Sequence, residues 1–256
     1  MTWRFDMKKI IFLSVIVCLF FGLGIIPIKA QDLAKGLVGY WPLDENGKDM
    51  VGKSEGKLEG GSKWIKNGRV KGAVELDGVT GHVVISNFEL TTIDLTATAW
   101  LKGWRQDAWA GLMCSRNDPM SFWIGFTDAD TLSYVWNNNS DKTWGWKQGP
   151  QIPQDEWAMF AITIAKDQAV SYIYTDAKKM VSAVNKIDHL EQTIADNLKF
   201  GWDQCCGPGR HVKGIMDEVM IYNRTLSEAE LVKLATSGLA VERIDKLTTQ
   251  WGKLKQ

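Results

Sequence analysis

Tyr134 to Lys147 reads YVWNNNSDKTWGWK, with three tryptophans and three consecutive asparagines in one short stretch. Indole faces stack on sugar rings and side-chain amides hydrogen-bond hydroxyls, so this composition suits contact with a carbohydrate. Strand alternation puts Tyr134 and Trp136 on one face and Val135 on the other; across the turn, Trp144 and Trp146 share a face. Packing within the sheet is the default for Trp144 and Trp146, because large aromatics stabilise by burial. Residues that break the core pattern are better ligand candidates. Trp123 opposes the face that Phe122, Ile124 and Phe126 would bury, and Trp100 opposes Leu95, Ala97, Ala99 and Leu101. Trp104 and Trp109, beside Arg105 and Asp107, form a candidate wall. The expected ligand-binding set is Trp100, Trp104, Trp109, Trp123 and Trp136, with Arg116, Asn137 and Asn139 as hydrogen-bonding partners and Asp118 nearby.

Oxygen-rich turns make a second group. Asp44-Glu45-Asn46-Gly47 and Asp49 lie close to the expected first strand, and Asp217-Glu218 lies in the expected last one. First and last strands of a sandwich commonly run side by side, so these carboxylates are placed to meet. Ca²⁺ takes ~6–8 hard oxygens in flexible geometry, which turn carbonyls and two or three of these carboxylates supply, so a bound Ca²⁺ is the expected cofactor. A solvated polar rim is the alternative.

Catalytic patterns carry less. Gly47 to Ser54 matches the phosphate-loop pattern, but the Gly-rich EGKLEGGSKWIKNG follows where a helix would have to begin. Glu75 and Asp77 share strand parity, as a general acid and base would, yet Gly78-Val79-Thr80 follows in place of a third acid. His82, His189 and His211 are scattered, without Cys-x-x-Cys or paired-His spacing for a metal. The chain is therefore expected not to be an enzyme.

These residues must be positioned by short alternating runs separated by Gly, Asn and Asp turns, the pattern of antiparallel strands with one face buried. Examples are LVGYWPL, AVELDG, HVVIS, LTATAWLKGW, SFWIGF, EWAMFAITIA, AVSYIYT, LKFGW and GIMDEVMIYN. The expected fold is all-β, a two-sheet antiparallel sandwich. One short C-terminal helix is expected in TLSEAELVKLATSG: Ser227 and Glu230 have capping-box spacing, Leu226 and Leu231 form a hydrophobic staple, and Gly238 stops it.

Lys8-Lys9, an apolar run from Ile10 to Ile28 and Ala30 before Gln31-Asp32 have the layout of a secretory signal peptide over residues 1–30. The run is also long enough to span a bilayer, so an uncleaved anchor is the alternative and the only membrane attachment expected. A single domain over 33–238 and a polar tail over 239–256 complete the expected organisation. The chain carries 30 Lys and Arg against 30 Asp and Glu, so nothing favours nucleic acid as a partner. Location is expected to be secreted, periplasmic or at the cell surface. Cys114, Cys205 and Cys206 are then an odd set in an oxidising compartment. A bond between the neighbours and a bridge from Cys114 to one of them are both open.

The order of GLVGYWPLDENGKDMVGK, GRVKGAVELDGVTGHVVI, LTATAWLKGW, DEWAMFAITI and GIMDEVMIYNRTLSEAEL resembles the LamG-like jelly-roll domains of the concanavalin A-like lectin and glucanase superfamily, from Leu37 to about Leu234. The resemblance implies two curved antiparallel sheets packed face to face, often with a structural Ca²⁺, on secreted or surface proteins that bind glycans or other surface ligands. The family's metal-binding acids would fall on Asp49, Asp217 and Asp44, with Met50-Val51 where small polar residues are usual. Its glucanase acids do not carry over. The implied function is a non-catalytic, lectin-like module for a carbohydrate or glycosylated surface. A protein-binding or adhesion module is the alternative, and a glycoside hydrolase comes third.

Overall fold

The computed structural model describes residues 33–103, 107–117, 120–136, 140–177, 179–195, 198–206 and 209–239. The expected leader, the tail beyond Leu239, and the candidates Trp104, Asn137 and Asn139 lie outside them, as do Arg105 and Asp118.

In chain order the strands are β1 (Leu37–Trp41), β2 (Gly47–Lys48), β3 (Glu55–Glu59), β4 (Lys63–Ile65), β5 (Ala73–Asp77) and β6 (His82–Ser86). Then come β7 (Glu89–Thr92), β8 (Leu95–Gly103), β9 (Gly111–Asn117), β10 (Met120–Phe126), β11 (Leu132–Trp136) and β12 (Trp157–Ile164). The series closes with β13 (Ala169–Thr175), β14 (Met180–Asn185), β15 (Gln192–Ala195), β16 (Leu198–Phe200), β17 (Lys213–Tyr222) and the helix α1 (Glu228–Ser237). One sheet runs β14-β13-β12-β8-β17-β5-β4 with β1 also on β17; the other runs β11-β10-β9-β16-β6-β3-β2; a small third sheet pairs β15 with β7. This is the expected two-layer antiparallel jelly roll.

The alternation read from the sequence decides what lies between the layers. Leu95, Ala97, Ala99 and Leu101 of β8 join Phe122, Ile124 and Phe126 of β10 in the main core, around Trp41 and Phe200. β8 is nonetheless apolar on both faces, because its other face is covered as well. Trp100 packs there with Tyr40, Met159 and Met220 under Leu231, Leu234 and Ala235 of α1. That helix starts as expected: the Ser227 side chain accepts from the Glu230 amide, and the Glu230 carboxylate accepts from the Ser227 amide, a complete capping box. Gly238, at φ 62°, caps its end. Among the described residues, no helix is long and apolar enough to cross a membrane.

First and last strands do run side by side: β1 pairs with the second half of β17 and β5 with its first half. Where the neighbour changes, Asp217 pairs with Trp100 but Met220 with Thr98, one residue too many. The extra residue makes a bulge with Glu218 at φ 51°. The stretch matching the phosphate loop is a turn between β2 and β3 with no helix after it. Gly52 to Gly56 also has the letters of a Gly-x-Ser-x-Gly nucleophile elbow, but Ser54 is buried at the entry to β3.

Candidate functional site

Three aromatic side chains meet on the face of the second sheet that points away from the core. Trp123 of β10 sits between Cys114 of β9 and Val135 of β11, and these three form a cluster separate from the main core. Gly125 makes room for this indole: a Cβ there would fall 2.5 Å from Cζ2 of Trp123. Trp109 lies over Trp123, with ring centroids 6.1 Å apart, and Trp144 meets Trp109 edge-on at 5.9 Å. Trp123 is 1% exposed and Trp144 is 43% exposed, so the cluster grades from buried base to open rim.

Trp109 holds φ 69°, a left-handed conformation unusual for a bulky residue. Its amide donates to Phe126 O at 2.7 Å, and Phe126 N donates back to Ala110 O, which fixes the loop to the end of β10. A residue held in such a conformation costs about 1–3 kcal/mol, and this cost concentrates at ligand clamps. Lys147 Nζ stands 5.6 Å above the Trp109 ring and pairs with Asp128 at 2.7 Å. Trp144 ends a π-type turn, Ser140–Trp144. The chain after that turn is tied back to β11 where Ser133 Oγ donates to Trp146 O.

Beside the aromatics lies a charged hub. Asp203 accepts from Arg116 Nε (3.1 Å) and Nη2 (2.9 Å), from Arg210 Nη1 (3.0 Å), and from the Cys205 amide (3.0 Å). The Cys114 thiol donates to it at 3.4 Å. Burial alone would raise the Asp203 pKa, but the hydrogen bonds and charge of Arg116, the Cys205 amide and Arg210 hold it below the ordinary carboxylate value. The same burial, reinforced by the Asp203 charge, pushes the Cys114 thiol far up. Gly111 lets this loop approach the sheet, since a Cβ there would meet Asp203 N at 2.6 Å.

Further along the same face, Trp202 stacks on His211 at 5.0 Å and 4°. His82 tilts against Trp202 at 4.7 Å. Lys199 of β16 stands 5.6 Å from the Trp202 ring. Each histidine donates from Nδ1 to a backbone carbonyl, His82 to Thr80 and His211 to Gly81. Cys205 and Cys206 are placed as a bonded pair in the structure, and Cys114 is buried apart from them.

The structure thus brings together Trp109, Arg116 and Trp123 from the expected ligand set. Trp100 and Trp136 do not join them. Trp100 lies on the outer face of the first sheet, 6% exposed beneath Arg69, whose guanidinium is 4.3 Å from the ring. Trp136 shares its face with Tyr134 as expected, but that face is the inner one: it packs edge-on to Phe122, and its Nε1 donates to Leu190 O. Trp144 and Trp146 do not share a face, because Trp144 closes a helical turn where strand alternation was expected; Trp146 packs against the core.

Each of the expected metal acids accepts from backbone amides, and Asp44 and Asp217 gather with Glu218 about the Tyr40 hydroxyl. Asp44 Oδ1 accepts from the Gly72 amide, and Asp49 Oδ1 from the amides of Tyr40 and Val51. Asp217 accepts from the Val70 and Glu218 amides. Burial drives Asp217 up to about 8 against the pull of the Val70 amide, so a cation there would have to displace a proton. Asp49 Oδ2 is buried with no hydrogen-bond partner. Among the described residues, no group of three or more His, Cys, Asp and Glu side chains is placed to hold a metal ion. Glu75 is paired with Lys63 at 3.2 Å. Asp77 is held at about 2: burial opposes the shift, but the amides of Val79, Gly81 and Thr80 outweigh it.

No curated protein matches this sequence. Among solved structures, domain 4 of AbnA, a GH43 extracellular arabinanase from Geobacillus stearothermophilus solved with arabinotriose, is similar with a TM-score of 0.54 at 15% identity, over 78% of this chain and 98% of that one. The binding domain of Paraclostridial Mosquitocidal Protein 1 gives 0.55 at 17% identity, over 79% of this chain and 52% of that one. A mutant Trypanosoma rangeli sialidase displaying trans-sialidase activity gives 0.52 at 14%, over 82% of this chain and only 33% of that one. At these identities the likeness is one of fold. A family model described as concanavalin A-like lectin/glucanases superfamily matches residues 77–232, so the chain belongs to that superfamily.

Proposed function

We propose that this chain is an exported, non-catalytic module that binds carbohydrate on the outer face of its second sheet. The observation that carries the reading is the left-handed Trp109 lying over Trp123 with the exposed Trp144 at its edge, beside the guanidinium groups of Arg116 and Arg210. Flat aromatic walls next to planar hydrogen-bond donors are what a sugar ring and its substituents require. The arabinanase domain, solved with arabinotriose, supports a sugar ligand on this fold. The leader-like opening and the Cys205–Cys206 bond support export. A binding role is favoured over hydrolysis by the state of Glu75 and Asp77, one spent on an ion pair and the other on a turn. A glycan array and a reducing-sugar assay on the same polysaccharides test the reading. Retention on at least one glycan without sugar release is the expected result. Retention on none transfers the site to protein partners, and release that is lost in Glu75→Gln makes the protein an enzyme.

A structural Ca²⁺ is a separate part of the proposal. Asp49 Oδ2 is the carboxylate oxygen that a cation would satisfy, with the remainder of its ~6–8 oxygens drawn from carbonyls and water. Chelation is then expected to lower the melting midpoint by about 2–4 °C for each kcal/mol of binding lost, reversed by added Ca²⁺. An unchanged melt removes the ion and leaves the sugar site standing.

A further inference from the structure

We infer that the glycan taken by this face is acidic, with its carboxylate or sulfate seated between Arg116 and Arg210; the inference rests on the carbohydrate reading and names its ligand class. Two guanidinium groups converge on one carboxylate. Asp203 is wholly buried and ionised, so it cancels one of the two charges and leaves the other. Hydrogen-bonding capacity is also left over. Arg116 spends Nε and Nη2 on Asp203, and Arg210 spends Nη1, whereas each guanidinium carries five N–H donors in a planar fork suited to carboxylate or sulfate oxygens. The two side chains are 17% and 23% exposed, open enough for contact and sheltered enough that a bound anion escapes most solvent screening.

The spacing of the aromatics points the same way. Trp123, Cys114 and Lys199 are direct neighbours across three adjacent strands. With strands about 4.8 Å apart, Trp123 and Lys199 lie on the order of 10 Å from each other, with Trp109 over the first, Trp202 beside the second and the arginines beside Cys114 in between. That layout suits an anionic group on a chain of several sugar rings.

The test measures binding of the full chain to polygalacturonate, which carries carboxylates, to carrageenan, which carries sulfates, to neutral arabinan and to a DNA duplex. Binding to one or both acidic glycans is expected, at least about tenfold tighter than to arabinan or DNA, and about tenfold weaker when NaCl rises from about 0.05 to 0.5 M. Arg210→Gln, which leaves the Arg116–Asp203 pair intact, is expected to remove about tenfold of the acidic-glycan affinity. The salt dependence of the unaltered protein tests the same point if the variant folds poorly. Arabinan bound as tightly as the acidic glycans overturns the inference and leaves the carbohydrate reading in place. DNA bound as tightly as either glycan overturns it as a general charge effect. Binding to none of these, nor to any glycan on the array, overturns both.

Discussion

Asp203→Ala is expected to lower the free energy of unfolding by about 3 kcal/mol, the low end of the cost of breaking a buried ion pair, measured by urea denaturation at neutral pH. The low end applies because Arg116 and Arg210 retain some solvent once the carboxylate is gone. What remains is still costly, since two like charges face each other over a buried thiol with nothing between them. The pH dependence gives a second readout with a definite sign. Asp203 has its folded pKa below the ordinary value of 3.8, so its stabilisation is complete above that value and is lost as pH falls below it. The gap between wild type and variant should therefore be constant from neutral pH down to about 5 and close at lower pH. A gap that stays open at low pH would show that Asp203 acts by packing rather than by charge. The same variant frees the Cys205 amide and one side of the Gly111 approach, so the 203–210 loop should exchange its amides faster than β9 beneath it.

The layers of this protein could be read from the sequence because period-two alternation was unambiguous wherever one face was wholly apolar. β10 is the clearest case: Phe122, Ile124 and Phe126 fixed the inner face, so Trp123 had to lie outside. β8 was equally legible for Trp100, but alternation could not show that α1 covers the other side. β11 failed for a related reason. All five of its residues are buried, so the sequence placed Trp136 with Tyr134 correctly but could not tell which face was inner. The charged hub had no local signature, since Arg116 and Asp203 come from β9 and from the turn after β16. His82, Trp202 and His211 were likewise scattered in the chain; the pairing of β16 with β6 and a bridge between Trp202 and His211 bring them together. The helix was legible to its last residue because its caps are local chemistry.

Trp144→Ala is expected to weaken glycan binding about 30-fold, the ~2 kcal/mol typical of a tryptophan that dominates a binding surface. The same change should cost no more than about 1 kcal/mol of stability, the worth of one edge-on aromatic contact, because the ring is 43% exposed and meets Trp109 by its edge. That separation makes Trp144 the informative position. Trp123→Ala would open a cavity beneath Trp109, and a loss of binding there could not be told from a loss of fold. Trp144→Phe should restore part of the affinity, since a smaller aromatic face still stacks, whereas Trp144→Leu should not. Titration with whichever glycan the array selects, alongside a thermal melt of each variant, checks both halves. Unchanged affinity in Trp144→Ala would mean that the rim tryptophan caps the sheet and no more, and the strain at Trp109 would then need a cause other than ligand.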